Sequence, residues 1–294
     1  MNMRLLVVGA NGLLGSNVTD VALDGTDHVV ATHHSSNPGF DCSSYQLDIT
    51  DGGDVDAIVS DVCPDAIINC AAMTDVDGCE TDPERAHAVN AEGAANVARA
   101  AEQASADLIH TSTDYVFDGT RETAYSEEAD PNPCQEYGRT KLEGEQLVHE
   151  AHSDPTILRL SFVYGRSFPD GTLSGFPAWV CDQATDGAEI PLFADQRISP
   201  SYARTTARTM LDLLGGDHSG TFNLASSSCV TPFEFGSTIL RKAGFDDAKI
   251  RKGSMNDIDR DAERPRYTCL DVTRIEEALN RPQPTLREDV EDLF

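Results

Sequence analysis

Tyr137 and Lys141 stand four residues apart in Tyr137-Gly138-Arg139-Thr140-Lys141, inside a stretch that reads as helix. Positions i and i+4 share one helix face, with Cβ atoms about 5–6 Å apart. A lysine ammonium about 5 Å from a phenol, at an effective dielectric of about 20, favours the phenolate by about 3 kcal/mol. That is on the order of two pKa units, enough to bring a tyrosine from about 10 toward 8. A group poised there exchanges protons with a carbinol or a ketone near neutral pH. Lys141 is also one of only four lysines in a chain that otherwise uses arginine.

A second set of residues suits a dinucleotide. Gly9-Ala10-Asn11-Gly12-Leu13-Leu14-Gly15 follows an apolar run and opens directly into a helical segment. Glycines let the backbone turn tightly and approach a pyrophosphate, and the helix N-terminus offers unpaired N–H groups. The end of the next strand should touch the adenosine ribose, where a carboxylate would select NAD and a basic residue the 2′-phosphate of NADP. Here it reads Ala31-Thr32-His33-His34-Ser35, with neither. The missing carboxylate inclines the choice to NADP and leaves NAD open. Asp48, in Leu47-Asp48-Ile49-Thr50, is placed to take the adenine amino group; its other reading, a helix N-cap, suits Thr50 or Asp51 better. The string Thr111-Ser112-Thr113-Asp114-Tyr115 closes the later apolar run that starts at Asp107. Ligands gather at the carboxyl ends of strands in an open parallel sheet, so the Ser112 or Thr113 hydroxyl is expected to meet Tyr137 over a nicotinamide.

These residues need a scaffold, and the pattern supplies one. Strands are expected at Arg4–Val8, His28–Thr32, Asp65–Cys70, Asp107–Ser112 and Thr156–Phe162, and helices at Leu13–Leu23, Val55–Val62, Pro83–Ala104 and Glu136–Glu150. Asp82 and Pro83 make a helix start signal, as N-cap and first helical residue. Alternating βαβ units with near-continuous apolar strands imply an α/β fold, a doubly wound parallel sheet of Rossmann type. Residues 1–164 are read as the NAD(P)-binding domain, its sheet completed by about 200–228, and residues 165–294 as a smaller, mainly substrate-binding region.

Composition excludes several classes. No apolar run approaches a membrane span. The apolar start of the chain is broken by Gly9, Asn11 and Gly12, which suits a buried strand rather than a secretion signal. Fifty acidic residues face 22 basic ones, a formal net charge of −28 spread along the chain. Nucleic acid is an improbable partner for such a surface, since phosphate contacts need clustered Lys and Arg. The same surface resembles that of a halophile's cytosolic protein. Eight cysteines at 42, 63, 70, 79, 134, 181, 229 and 269 form no C-x-x-C pair. They read as buried thiols of a reducing compartment, with neither a metal site nor a disulfide framework. The chain is therefore expected in the cytoplasm.

Together these residues resemble the extended short-chain dehydrogenase/reductase superfamily, with the dTDP-4-dehydrorhamnose reductases as the closer match. The resemblance runs through Gly9–Gly15, Asn69-Cys70-Ala71-Ala72, Asp75-Val76-Asp77, Glu80 and Asn90-Ala91. It continues through Ser112–Gly119, Tyr137–Lys141, Leu142-Glu143-Gly144-Glu145, Leu158–Gly165, Ser199–Ala203 and Arg264-Pro265-Arg266. It implies reduction of a nucleotide-linked 4-keto-6-deoxy sugar, with Thr113, Tyr137 and Lys141 catalytic. Tyr137 is then the acid/base, Lys141 binds ribose hydroxyls and tunes Tyr137, and Thr113 bonds the substrate. The cofactor is held by Gly9, Asn11, Gly12, Leu13, Leu14, Gly15, His33, Asp48, Ile49, Cys70, Ala71, Ala72, Met73 and Thr111, besides Tyr137 and Lys141. Ser112, Asp114 and Phe162 face the substrate with Thr113, Phe162 standing where bacterial reductases carry tryptophan. A homodimer is the assembly expected. The resemblance also extends to the NADP-binding β subunit of methionine adenosyltransferase and to nucleotide-sugar epimerases. Dehydratases carry an acidic pair after the threonine, whereas Asp114 is followed by Tyr115.

Overall fold

The computed structural model describes residues 3–26, 28–216, 218–246 and 248–294. The apolar runs form the centre of a seven-stranded, wholly parallel sheet. Its strands are β1 (Arg4–Val8), β2 (His28–His33), β3 (Ser43–Gln46), β4 (Ala66–Asn69), β5 (Asp107–Thr113) and β6 (Thr156–Leu160), joined later by β10 (Gly220–Asn223). The order across the sheet is β10-β6-β5-β4-β1-β2-β3. The reversal between β1 and β4 is the place where an open α/β sheet leaves a crevice for ligands.

The central strands are apolar on both sides because each side is covered. Leu5, Val7, Ile68 and Leu158 point to one layer, Leu6, Val8, Ile67 and Ile157 to the other, the two-residue alternation of a pleated strand. The first layer contains α1 (Leu13–Gly25), α8 (Ala203–Leu214) and α10 (Thr273–Leu279), through Val18, Met210 and Ile275. The second contains α2 (Gly52–Val62), α5 (Ala94–Ala104) and α6 (Glu136–Ala151), through Val59, Val97 and Val148. The sheet thus has the expected doubly wound form.

Three differences from the sequence reading have local causes. Strand β3 was not expected: Ser-Ser-Tyr-Gln is polar and half-exposed at the sheet edge, so it carries no apolar signal. The expected helix over Pro83–Ala104 begins as foreseen, with Asp82 accepting from the Arg85 N–H at 3.1 Å. It is then interrupted: α3 (Val76–Thr81) and α4 (Pro83–His87) precede a π-helical segment, Ala88–Gly93, before α5. Cysteines 229 and 269 are also joined in a disulfide, against the expectation of free thiols throughout. Backbone bridges explain their meeting, since Ile198 pairs with Val230 and Arg197 with Tyr267.

The C-terminal part builds a second core around Tyr164, Ile190, Leu192, Phe235, Ile239 and Val290. It contains the antiparallel pair β7 (Gly165–Ser167) and β8 (Thr172–Ser174), and the parallel pair β9 (Glu189–Phe193) and β11 (Lys249–Gly253). Helices α7 (Gly175–Thr185), α9 (Pro232–Lys242) and α11 (Leu286–Leu293) pack on them. No helix of the described residues is long and apolar enough to cross a membrane.

Candidate active site

The first element of the site is the glycine turn. Gly9 has φ +84°, a conformation open mainly to glycine, and a Cβ there would lie 2.9 Å from the Ala71 N atom. Gly12 is the N-cap of α1 and provides no side-chain hydrogen bond, so the first N–H groups of this 13-residue helix face the crevice unsatisfied by a cap. That is the donor set a pyrophosphate needs.

Three cavities run on from one another above the carboxyl ends of the strands. The first, about 720 Å³, is lined by Gly9, Asn11, Gly12, His33, Asp48, Ile49, Ala71, Ala72 and Met73. The second, about 410 Å³, shares Gly12, Cys70 and Ala72 with it and adds Leu13, Leu14, Gly15, Thr111, Ser112, Thr113, Asp114, Tyr137 and Lys141. The third, about 440 Å³, shares Tyr115 and Phe162 with the second and opens among Phe176, Trp179, Arg260 and Arg264. An elongated dinucleotide fits the first two in series, with its adenosine beyond β2 and its reacting end at Tyr137. The residues present therefore suit NAD(P).

Around the adenosine end, Asp48 does not cap α2. Asp51 does so by accepting from Gly53 and Asp54, as the sequence favoured. The Asp48 carboxylate instead accepts from the Thr50 N–H and hydroxyl, which hold it below the usual carboxylate range. His34 lies 3.7 Å from it. Arg85, which the sequence reading passed over, lines the same cavity from α4.

At the reacting end, Gln135 caps α6 by accepting from the Gly138 N–H at 3.1 Å, and Tyr137 follows in the first turn. The half-buried Tyr137 ring packs edge-on against Tyr115, with centroids 6.0 Å apart. Its phenol shares the second cavity with Thr113, whose hydroxyl donates to Asp114 at 3.1 Å and accepts from the Tyr115 N–H at 3.1 Å. The Lys141 ammonium donates to the Thr111 carbonyl at 2.7 Å. The sequence expectation that Lys141 draws the phenol toward 8 is not met. Burial, then nearby Asp114, pushes Tyr137 above its ordinary value, and burial lowers Lys141 to about 8. The phenol is thus fully protonated near neutral pH, the form a proton donor requires.

Three residues expected to face the substrate are placed differently from one another. Ser112 lines the second cavity, yet its hydroxyl donates to Glu145 at 2.5 Å. Asp114 is 2% exposed, and its carboxylate accepts from the Thr113 hydroxyl at 3.1 Å and the Ser161 hydroxyl at 2.7 Å; burial raises it to about 6. Phe162 adopts φ +44° and is 36% exposed, in T-shaped contact with Phe176 and Phe235. A non-glycine residue held in that region is strained, a feature that clusters at binding sites.

Sequence reading also missed supports behind the wall. Buried Asn90, in the π segment, accepts from the Met73 N–H at 2.8 Å and donates to the Met73 carbonyl and the Thr140 hydroxyl. It ties the Met73 loop to the helix of Tyr137 and Lys141. Interruptions of this helical kind are frequent at functional sites. The signal available was the Asn90-Ala91 pair itself, whose role only the fold reveals.

Comparison with known proteins agrees with this geometry. The family description "RmlD substrate binding domain" matches residues 3–294. The chain is 46% identical to "Probable low-salt glycan biosynthesis reductase Agl14" of Haloferax volcanii, over 98% of this chain and 96% of that one. It is 35% identical to a dTDP-4-dehydrorhamnose reductase of Mycolicibacterium smegmatis, over 99% of this chain and 85% of the other. Among solved structures, a dTDP-4-dehydrorhamnose reductase of Bacillus anthracis in complex with NADP superposes with a TM-score of 0.86. Its identity is 30%, with 100% of this chain and 99% of that one covered. The chain belongs to the family of the RmlD substrate binding domain, within the extended short-chain dehydrogenases/reductases, and is an NAD(P)-dependent sugar reductase of that family.

Proposed function

We propose that the chain reduces the ketone of a nucleotide-linked 4-keto-6-deoxy sugar, of the kind used in dTDP-rhamnose biosynthesis, with Tyr137 as proton donor. The observation that carries this reading is the protonated Tyr137, in one cavity with Thr113 and Lys141, where the cofactor crevice meets the aromatic groove. The cofactor, when bound, supplies a hydride to the carbonyl carbon. Tyr137 gives its proton to the carbonyl oxygen, Thr113 holds that oxygen beside the phenol, and the Lys141 ammonium takes the ribose hydroxyls. Phe162, Phe176 and Trp179 offer ring surface to a base or deoxysugar, and Arg260 and Arg264 suit a diphosphate. The names of the Haloferax and Mycolicibacterium relatives, a glycan-biosynthesis reductase and a dTDP-sugar reductase, favour the same class.

NADP is the cofactor this reading prefers. No carboxylate stands at the end of β2, His33, His34 and Ser35 can donate to a 2′-phosphate, and Arg85 adds a fixed positive charge to the same cavity. A cytoplasmic location belongs to the reading as well, with six of the eight cysteines free.

The test is incubation with NADPH and a dTDP-4-keto-6-deoxy sugar in high salt. Cofactor oxidation with formation of the reduced sugar is expected. Tight cofactor binding without any oxidation would instead favour a regulatory, non-catalytic role. Titration of the protein with each cofactor should show tighter NADPH binding, and Arg85→Ala should narrow the gap to NADH.

A further inference from the structure

Glu145 lies one turn beyond Lys141 on α6 and is 4% exposed. Its Oε1 accepts from the Ser112 hydroxyl at 2.5 Å and from Arg159 Nε at 2.9 Å, and its Oε2 accepts from Arg159 Nη2 at 2.7 Å. The Arg159 guanidinium lies over the Phe117 ring, 5.2 Å from its centroid. One carboxylate therefore ties α6 to β5 and β6 together. Ser112 sits between two residues of β5 at the reacting pair, Thr111, whose carbonyl accepts from Lys141, and Thr113, which lines the same cavity as Tyr137. A buried ion pair contributes little net stability, because desolvation offsets the attraction. Its placement directly behind Tyr137 and Lys141 calls for another reason.

We propose that Glu145 is a positioning residue for the reacting pair: pinned by Arg159 and Ser112, it sets α6 against the end of β5 and keeps Lys141 an ammonium aimed at the Thr111 carbonyl. The groups around Lys141 leave this task to Glu145. Cys70, after β4, and Cys79, of α3, are pushed up by burial to about 12 and about 11, so both are neutral thiols. His110 of β5 is held neutral by burial. Tyr137, one turn earlier on α6, is a neutral phenol, and Arg159 of β6 lies beyond the carboxylate it binds. Burial draws the ammonium down, and Glu145 opposes that pull.

The chain allows a direct test, because it has four lysines and the other three, Lys242, Lys249 and Lys252, are exposed. Labelling with [13Cε]lysine gives a signal for Lys141 with three internal references. In the unaltered protein Lys141 should titrate at about 8. In Glu145→Gln its midpoint should fall by about one pH unit or more, with the reference signals unmoved. The alkaline limb of kcat should move down with it. An unchanged Lys141 midpoint in folded Glu145→Gln overturns the proposal. If that variant fails to fold because Arg159 is left unpaired, the double variant E145Q/R159Q carries neither buried charge and is read the same way: a lowered midpoint supports the assignment and an unchanged one overturns it. Only the kcat limb rests on the reductase reading. A lowered midpoint in a protein that reduces no keto sugar would uphold the role of Glu145 at Lys141 and refute that reading alone.

Discussion

A methyl group on Gly144 would overlap the backbone carbonyl oxygen of Asn90, so the helix that carries Tyr137 and Lys141 rests directly on the π segment. Gly144→Ala must push the two apart or strain both. The expected cost is about 1–3 kcal/mol, read as a lowered melting temperature, together with a loss of turnover as Tyr137 and Lys141 shift. An unchanged melting temperature would show that α6 has room to move.

Tyr137→Phe keeps the ring, and with it the edge-on contact to Tyr115. It removes only the transferable proton, which the transition state alone requires. Turnover should fall by about 10²–10⁴-fold while cofactor affinity stays nearly constant. A variant that retains a tenth of the rate, or more, would show that another group donates the proton.

Stability should also depend on Asp289. This carboxylate is 3% exposed on α11, accepts from the Thr205 hydroxyl at 2.7 Å, and is raised by burial to about 7. The folded state thus holds a proton more tightly than the unfolded chain does. Its contribution is present at acid pH and is lost as pH rises from about 4 through about 7. The amount is on the order of 2–4 kcal/mol. In constant high salt, Asp289→Asn should raise the melting temperature above about pH 7 and flatten its fall from about pH 5. Parallel curves for the two proteins would assign the pH dependence elsewhere.

The charge of −28 predicts a salt requirement. Screening shortens the Debye length from about 10 Å at 0.1 M to about 3 Å at 1 M, which relieves repulsion among exposed carboxylates. Melting temperature without cofactor should therefore rise steeply with potassium chloride. A flat series would mean that the carboxylates are satisfied locally by helix N-termini and arginines.

What the sequence made legible was whatever local pattern alone determines. Runs such as Leu5–Val8 are apolar because both faces are covered, and the Gly9–Gly15 spacing follows from the turn it must make. Strand Ser43–Gln46 escaped because an edge strand needs no apolar face. The roles of Asn90, Gly144 and Glu145 escaped because each depends on an element distant in the chain, respectively the Met73 loop, the π segment and the β5–β6 pair. The phenol of Tyr137 was misjudged for the same reason: the i, i+4 spacing shows a lysine nearby, and burial, which spacing does not show, dominates.

Strand β10 reaches the sheet only after the chain has built β7, β8, β9, α7 and α8. During synthesis the outer edge of β6 is consequently bare until residue 223 has left the ribosome, and its unpaired N–H and C=O groups form a template for wrong partners. The nucleotide-binding half cannot finish folding as an N-terminal unit while the rest is still being made, as separate domains commonly do. Interrupting translation anywhere before β10 should leave a nascent chain that depends on chaperones.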